Sequence, residues 1–124
     1  MTRHSRAAAG LAAVALMLGA CATTTSRFEW GGYEAALYGY AKKPELRPQY
    51  REALEKAIDR GRRTNRIAPG LLAELGFICL EDGDATTALA LFEEEMRLFP
   101  ESRSFLQGVA ARAKGGSQKT EVAS

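Results

Sequence analysis

The stretch from Pro69 to Pro100 constrains the fold more than any other part of the sequence, because it holds two amphipathic segments separated by a turn signal. In the first segment, apolar residues recur at three- and four-residue steps until Gly83, which is typical of a helix followed by a break. The second segment has a similar period and ends at Pro100, because proline cannot continue a helix interior. The stretch therefore predicts a helical hairpin.

This hairpin resembles a tetratricopeptide repeat, a unit of about 34 residues with small, aromatic and proline residues at fixed positions. Gly76 and Ala88 are small where two antiparallel helices would cross closely, and Phe92 would fill the space beside them. Two residues depart from the repeat. Cys79 replaces an aromatic and is interpreted as a smaller core residue, whereas Glu95 replaces an alanine and is interpreted as weaker packing. The matching positions are Leu72, Leu75, Gly76, Ala88, Phe92 and Pro100.

A wider resemblance joins the hairpin to the aromatic stretch from Phe28 to Tyr40. The residues that carry it are Trp30, Gly31, Tyr33, Leu37, Tyr40, Pro69, Gly70, Leu75, Gly76, Gly83, Ala88, Phe92, Glu94 and the run Phe99 to Ser102. Together they resemble the small bacterial lipoprotein family called domain of unknown function 4810, from about Phe28 to Leu106. The resemblance transfers no activity. It implies an envelope complex, since members tend to be encoded beside a lipoprotein like the curli secretion channel and a further lipoprotein.

The first 20 residues predict a lipoprotein signal peptide. A basic start precedes an apolar run, residues 7–18, that is too short to span a bilayer permanently. The ending Leu18-Gly19-Ala20-Cys21 resembles the bacterial lipobox, in which the cysteine is acylated and becomes the new N-terminus. The alternative is an ordinary signal peptide cut after Ala20 or Ala22, which would leave a free cysteine.

Lipidation at Cys21 predicts both the location and the domain organisation. Several acyl chains on one cysteine anchor a protein stably in a membrane. Ala22, in place of aspartate, implies by resemblance to bacterial sorting rules the periplasmic face of the outer membrane. Residues 21–27 form the lipidated tether and residues 28–113 the tetratricopeptide-like helical domain. Residues 114–124 are polar and predict a disordered tail.

The segment after the tether has four aromatic residues between positions 30 and 40 and predicts a first helix that ends near Lys43. We expect Tyr33, Leu37 and Tyr40 in the core. For Trp30 the sequence leaves two alternatives, which are packing in the core and a place on a surface that faces a partner or the membrane interface.

The rest of the domain is predicted to be helical as well. Residues 49–62 predict a second helix, and Pro69 is expected in the first turn of the third. A fifth helix is predicted from Ser102 to about Lys114, where it would cover the second hairpin as a terminal cap. The predicted fold class is all-α, with tetratricopeptide-like stacked hairpins of about four helices plus a C-terminal capping helix.

The charge balance gives no support for nucleic-acid binding. The precursor has 17 basic and 15 acidic residues, and Arg3 and Arg6 leave with the signal peptide, so the mature chain is formally neutral. The charges are unevenly distributed. Residues 42–66 hold nine basic and four acidic side chains, whereas residues 74–101 hold eight acidic and one basic. These segments could pair within the domain, or dock between copies or onto other proteins.

The residue types in the mature chain argue against catalysis. The only histidine, His4, leaves with the signal peptide, which excludes histidine-based triads and metal sites of the usual Cys and His spacing. Cys79 is expected to be a buried, inert thiol rather than a nucleophile. The run Glu93 to Glu95 is expected on a solvated helix face rather than as a carboxylate pair. No cofactor or metal is expected apart from the acyl lipid on Cys21.

The preferred function is therefore that of a non-enzymatic outer-membrane lipoprotein, a protein-interaction module in an envelope complex with a curli-secretion-channel-like lipoprotein. The alternative is a periplasmic binder of a peptide or small hydrophobic ligand in a helical groove lined by Tyr33, Tyr40 and the second hairpin. A third hypothesis, a cell-wall hydrolase that uses glutamates, has no paired-carboxylate geometry in the sequence to support it.

Overall fold

The computed structural model describes residues 26–122, with side chains described through residue 116. The predicted signal peptide, Cys21 and most of the predicted tether lie outside this range. Consecutive helices in it pack against one another, so two stacked hairpins form and the last helix packs on the second hairpin. The predicted all-α, tetratricopeptide-like arrangement is confirmed. The five helices of the described part are α1 (Tyr33–Lys42), α2 (Arg47–Thr64), α3 (Leu71–Glu81), α4 (Ala85–Leu98) and α5 (Arg103–Val122).

The second hairpin, α3 and α4, turns at Gly83, whose φ of +82° favours glycine. Asp84 follows and begins α4, because its side chain accepts a hydrogen bond of 3.0 Å from the backbone N–H of Thr87. Phe99 and Pro100 end α4, and Pro100 opens a short 3-10 turn before α5. The predicted turn and C-terminal end of the hairpin therefore match the structure.

The two helices of this hairpin approach closely where the sequence has its small residues. A Cβ atom added to Gly76 would lie 2.5 Å from Cε1 of Phe92, so the Phe92 ring occupies the space that a side chain at position 76 would need. Ala88 and Phe92 are fully buried. This is the packing that the sequence predicts for these three residues.

The link between the hairpins differs in detail from the prediction. Asn65 ends α2 in the left-handed conformation with φ of 54°, and the N–H of Arg66 bonds the carbonyl oxygen of Gly61 at 2.8 Å. Gly70 has φ of +91° and precedes α3, which begins at Leu71. Pro69 therefore lies in the turn and not in the first turn of the helix, because the left-handed Gly70 separates it from the helical residues.

The predicted ends of two other helices are also wrong. α2 begins at Arg47 instead of residue 49, because Pro48 fits the first turn, where backbone N–H groups lack helical partners. α5 continues past Lys114 to Val122, where a disordered tail was predicted. Gly115 and Gly116 lower helix propensity, but neither is a proline that would break the helix.

The core contains residues from both hairpins and α5. Among the largest fully buried side chains are Leu54, Leu72, Phe92 and Leu106. Leu37, predicted in the core, is 37% exposed and lies outside the core cluster. Trp30 is half-buried and packs against the core, with its ring 5.8 Å from that of Tyr33.

Candidate interaction surfaces

A carboxylate from α3 joins the two helices of the first hairpin. The hydroxyl of Tyr33 on α1 donates a hydrogen bond of 2.7 Å to Oε1 of Glu74, and the hydroxyl of Tyr50 on α2 donates to Oε2. Burial, with the bond to Glu74 as the next cause, raises the pKa of Tyr33 to about 12 and also raises the pKa of Tyr50. Both tyrosines are therefore neutral donors near pH 7, and Glu74 connects three helices.

The aromatic rings of the first hairpin pack against one another. Tyr40 stacks on Tyr50 with ring centroids 5.1 Å apart and planes at 8° to each other. The ring centroid of Tyr33 lies 6.1 Å from that of Tyr50. Tyr33 and Tyr40, which were predicted to line a ligand groove, thus both pack against Tyr50, and Tyr33 also bonds Glu74.

A second polar cluster joins the start of α2 to the end of α3. Asp82 accepts from Nη1 of Arg47 at 2.9 Å and from Nη1 of Arg51 at 2.6 Å, while Arg47 also pairs with Glu81 at 3.0 Å. The basic and acidic segments of the sequence therefore pair within the domain at this end of the hairpins. These ion pairs are partly exposed, so each one contributes little by itself to stability.

Cys79 is buried beneath this cluster, as the sequence predicts. Its Sγ lies 3.9 Å from Nη2 of Arg51 and is 1% exposed. Burial raises the pKa of the thiol, and the nearby guanidinium opposes that effect without cancelling it. A protonated, enclosed thiol is a poor nucleophile.

Glu95 is buried, which corrects the expectation that the run Glu93 to Glu95 lies on a solvated helix face. The side chain is 2% exposed and accepts a hydrogen bond of 2.7 Å from the backbone N–H of Gly70 at the start of α3. Burial raises the pKa of this carboxyl, although the backbone N–H groups of Gly70, Ala73 and Leu72 act in the opposite direction. Glu95 therefore joins α4 to the N-terminus of α3, where a carboxylate is favourable. It does not lie on a solvated face.

A groove of about 400 Å³ lies where the N-terminal segment meets the ends of α2 and α4. The segment is held there by an isolated bridge between Glu29 and Ile67, with the Glu29 N–H bonded to the carbonyl oxygen of Arg66 at 2.8 Å. We name this site the basic groove. Its lining includes four arginines and one glutamate, which are Arg27, Arg62, Arg66, Arg97 and Glu94.

An aromatic row leads from the core to the surface on the other side of the second hairpin. The ring of buried Phe92 lies 5.2 Å from that of half-buried Phe77, which lies 6.2 Å from the ring of Phe105 on α5. Phe105 is 61% exposed. Tyr38 on α1 is also exposed, and its ring lies 5.2 Å from Nζ of Lys42.

The sequence comparisons assign the family but no activity. The sequence model of the domain of unknown function DUF4810 matches residues 28–109. This chain belongs to the DUF4810 family. The match extends from the N-terminal segment, through both hairpins, into α5. No curated protein and no solved structure matches the chain.

Within residues 26–122, no helix has the length and apolar character needed to cross a bilayer.

The contacts of Glu74 and the basic groove were absent from the sequence predictions. Glu74 is a polar residue between Leu72 and Leu75, and this position was a signal for its contacts. The basic groove has no such signal, because it depends on segments far apart in the chain.

Proposed function

We propose that this protein is a lipoprotein of the bacterial outer membrane, anchored through acylated Cys21, that binds other envelope proteins and is not an enzyme. The observation that carries the proposal is the exposed end of the aromatic row. Phe105 exposes most of its ring beside half-buried Phe77. Aromatic anchors of this kind are enriched in the energetically important centres of protein interfaces.

The environments of the ionisable side chains support a binding role over catalysis. Glu74 accepts bonds from two tyrosines, and Glu95 accepts a backbone bond while almost fully buried. Cys79 is enclosed and has a raised pKa. Glu74 and Glu95 join helices and Cys79 is enclosed, so all three are poorly placed to act on a substrate.

The proposed partner follows from the family resemblance. It is a lipoprotein like the curli secretion channel, within an envelope complex. The alternative function, binding of a peptide or small hydrophobic ligand in a groove at Tyr33 and Tyr40, has less support, since both rings pack against Tyr50.

Affinity purification from detergent-solubilised envelopes, followed by mass spectrometry, tests the partner. We expect the wild-type protein to recover the channel-like lipoprotein and Phe105→Ala to recover at least about tenfold less, as for an interface hot spot. Tyr38→Ala, which removes an exposed aromatic from α1, is the control and should recover the wild-type amount. Equal recovery by both variants would contradict the placement of the interface. Recovery of the wild-type protein alone, while known envelope complexes survive, would refute the interaction role.

The anchor is tested separately with Cys21→Ala. We expect this variant to accumulate as an unprocessed precursor that carries no acyl chain, as seen by gel mobility and intact mass. Normal maturation of the variant would overturn the lipoprotein assignment.

A further inference from the structure

The basic groove carries positive charge that its own acidic neighbours do not balance. Nη2 of Arg62 pairs with Glu94 at 2.6 Å, and Nη2 of Arg66 lies 3.4 Å from Glu29. The other two arginines that line the groove, Arg27 and Arg97, are exposed to solvent. The arginines outnumber these two carboxylates, so the groove favours an anionic ligand.

The position of the groove in the chain places it beside the membrane. Arg27 follows Cys21 by six residues (27 − 21 = 6). A fully extended chain rises about 3.5 Å per residue, so this tether spans about 20 Å at most. A domain anchored through Cys21 therefore holds the groove close to the lipid headgroups.

The opposite end of the hairpins has a different charge. Glu81, Asp82 and Asp84 surround the turn between α3 and α4, at the end where α2 begins. The groove lies at the end where α2 finishes, and 18 helical residues separate the two ends by about 27 Å. Because Glu81 and Asp82 pair with Arg47 and Arg51 at the turn end, an anionic surface would attract the groove end more strongly, which favours one orientation of the domain.

We propose that the basic groove binds the phosphate groups of anionic phospholipid headgroups, so that the domain docks on the leaflet that holds its own anchor. The proposal rests on the lipid anchor described under Proposed function. Arg27 and Arg97 contact the phosphates, because their guanidinium groups suit phosphate oxygens. Phe28, Leu98 and Phe99, which also line the groove, lie at the level where aromatic and apolar side chains favour the interface.

The single tryptophan of the sequence provides the probe. The Trp30 ring lies 6.4 Å from that of Phe28, which lines the groove. Energy transfer from Trp30 to a trace of dansyl-headgroup lipid therefore reports how close the groove lies to the membrane. The purified lipidated protein is reconstituted in vesicles of phosphatidylcholine alone or of phosphatidylcholine with phosphatidylglycerol. We expect higher transfer with phosphatidylglycerol, and loss of that increase in about 0.5 M NaCl because salt screens exposed charges.

A matched pair of variants assigns the effect to the groove. Each arginine near an anionic surface favours binding about fivefold, so Arg27→Ala with Arg97→Ala should lower the docked-to-free ratio about 25-fold. The control is Lys42→Ala with Lys43→Ala, which removes the same charge from the far end of the first hairpin. It should retain the wild-type response to phosphatidylglycerol.

The outcomes separate the docking from the anchor. Protein that stays in the vesicles but shows equal transfer in both lipid compositions would overturn the docking and leave the anchor intact. An equal response from the two double variants would also overturn it, since general charge would then explain the attraction. Protein that does not remain with either kind of vesicle would overturn the anchor and, with it, the docking.

Discussion

The two hairpins have the same helix-turn-helix outline but are held together by different interactions. α3 and α4 meet through small and apolar residues, with Phe92 filling the space over Gly76. α1 and α2 meet through tyrosine rings that pack on one another, and the hydroxyl groups of Tyr33 and Tyr50 bond a carboxylate of α3. The second hairpin is therefore specified mainly by its own residues, whereas the first depends on a group supplied by the second.

This difference indicates how stability is distributed. Close apolar packing gains free energy from burial and dispersion within one hairpin. The tyrosine cluster is stabilised by hydrogen bonds to the carboxylate of Glu74, and these bonds break when either hairpin moves. We expect the second hairpin to form the more stable unit and the first to depend on it.

The largest expected effect comes from a charge inside the second hairpin. Ala88 is fully buried, so Ala88→Arg forces a guanidinium into the close crossing, which costs more than about 4 kcal/mol and abolishes cooperative unfolding. The measurement is thermal unfolding by circular dichroism. Ala90→Arg, at an exposed position of the same helix, is the control and should melt like the wild type. An unchanged curve for Ala88→Arg would contradict the helix pairing.

Removal of the Glu74 carboxylate, which lies between the hairpins, tests whether the first hairpin depends on the second. Glu74→Ala leaves the hydroxyls of Tyr33 and Tyr50 without their acceptor and should lower the free energy of unfolding by about 2–3 kcal/mol. Urea titration measures the loss, and hydrogen exchange should quicken in α1 more than in α4. In a Tyr33→Phe, Tyr50→Phe background the same change should cost much less. An equal loss of unfolding free energy in both backgrounds would mean that the tyrosine hydroxyl groups do not account for the effect of Glu74→Ala.

A methyl group at the crossing of α3 and α4 should have a smaller effect. Gly76→Ala places Cβ against the ring of Phe92, and we expect a net loss of about 1–2 kcal/mol in urea titration. The matched control is Gly115→Ala on α5, where no atom lies within 4 Å of the added carbon. That variant should be neutral or slightly more stable, because alanine favours helix. Stabilisation by Gly76→Ala would mean that the crossing is loose.

The smallest expected effect concerns the contact between α4 and the start of α3. Because the folded state raises the pKa of Glu95, this carboxyl contributes most below its ordinary pKa near 4.5 and loses that contribution as pH rises. Glu95→Gln should therefore become more stable relative to the wild type as pH rises from 4 to 7. Denaturant titrations at pH 4 and pH 7 measure the difference, with exposed Glu93→Gln as control. If the stability gain of Glu95→Gln shrinks with rising pH, folding lowers the pKa of Glu95 instead of raising it.

The sequence predicted the parts of this fold that depend on near neighbours. Apolar periodicity indicated the helices, the conformational freedom of Gly83 indicated the turn, and Pro100 indicated the end of α4. Its errors at Pro69 and Pro48 concern helix ends, where a proline is compatible both with the turn and with the first helical positions. The assignment of Leu37 to the core failed because helical spacing alone leaves open how far the buried stripe extends.

Only the tertiary structure decided the roles of the polar residues. Tyr33 and Glu74 are separated by 41 residues and Gly70 and Glu95 by 25, so no local pattern identifies them as partners. The same holds for the basic groove, whose arginines come from the N-terminal segment, α2, the link after it and α4. Helix formation depends on residues three or four positions apart, which a sequence displays directly. The pairing of a buried carboxylate depends on which helix ends the fold brings together.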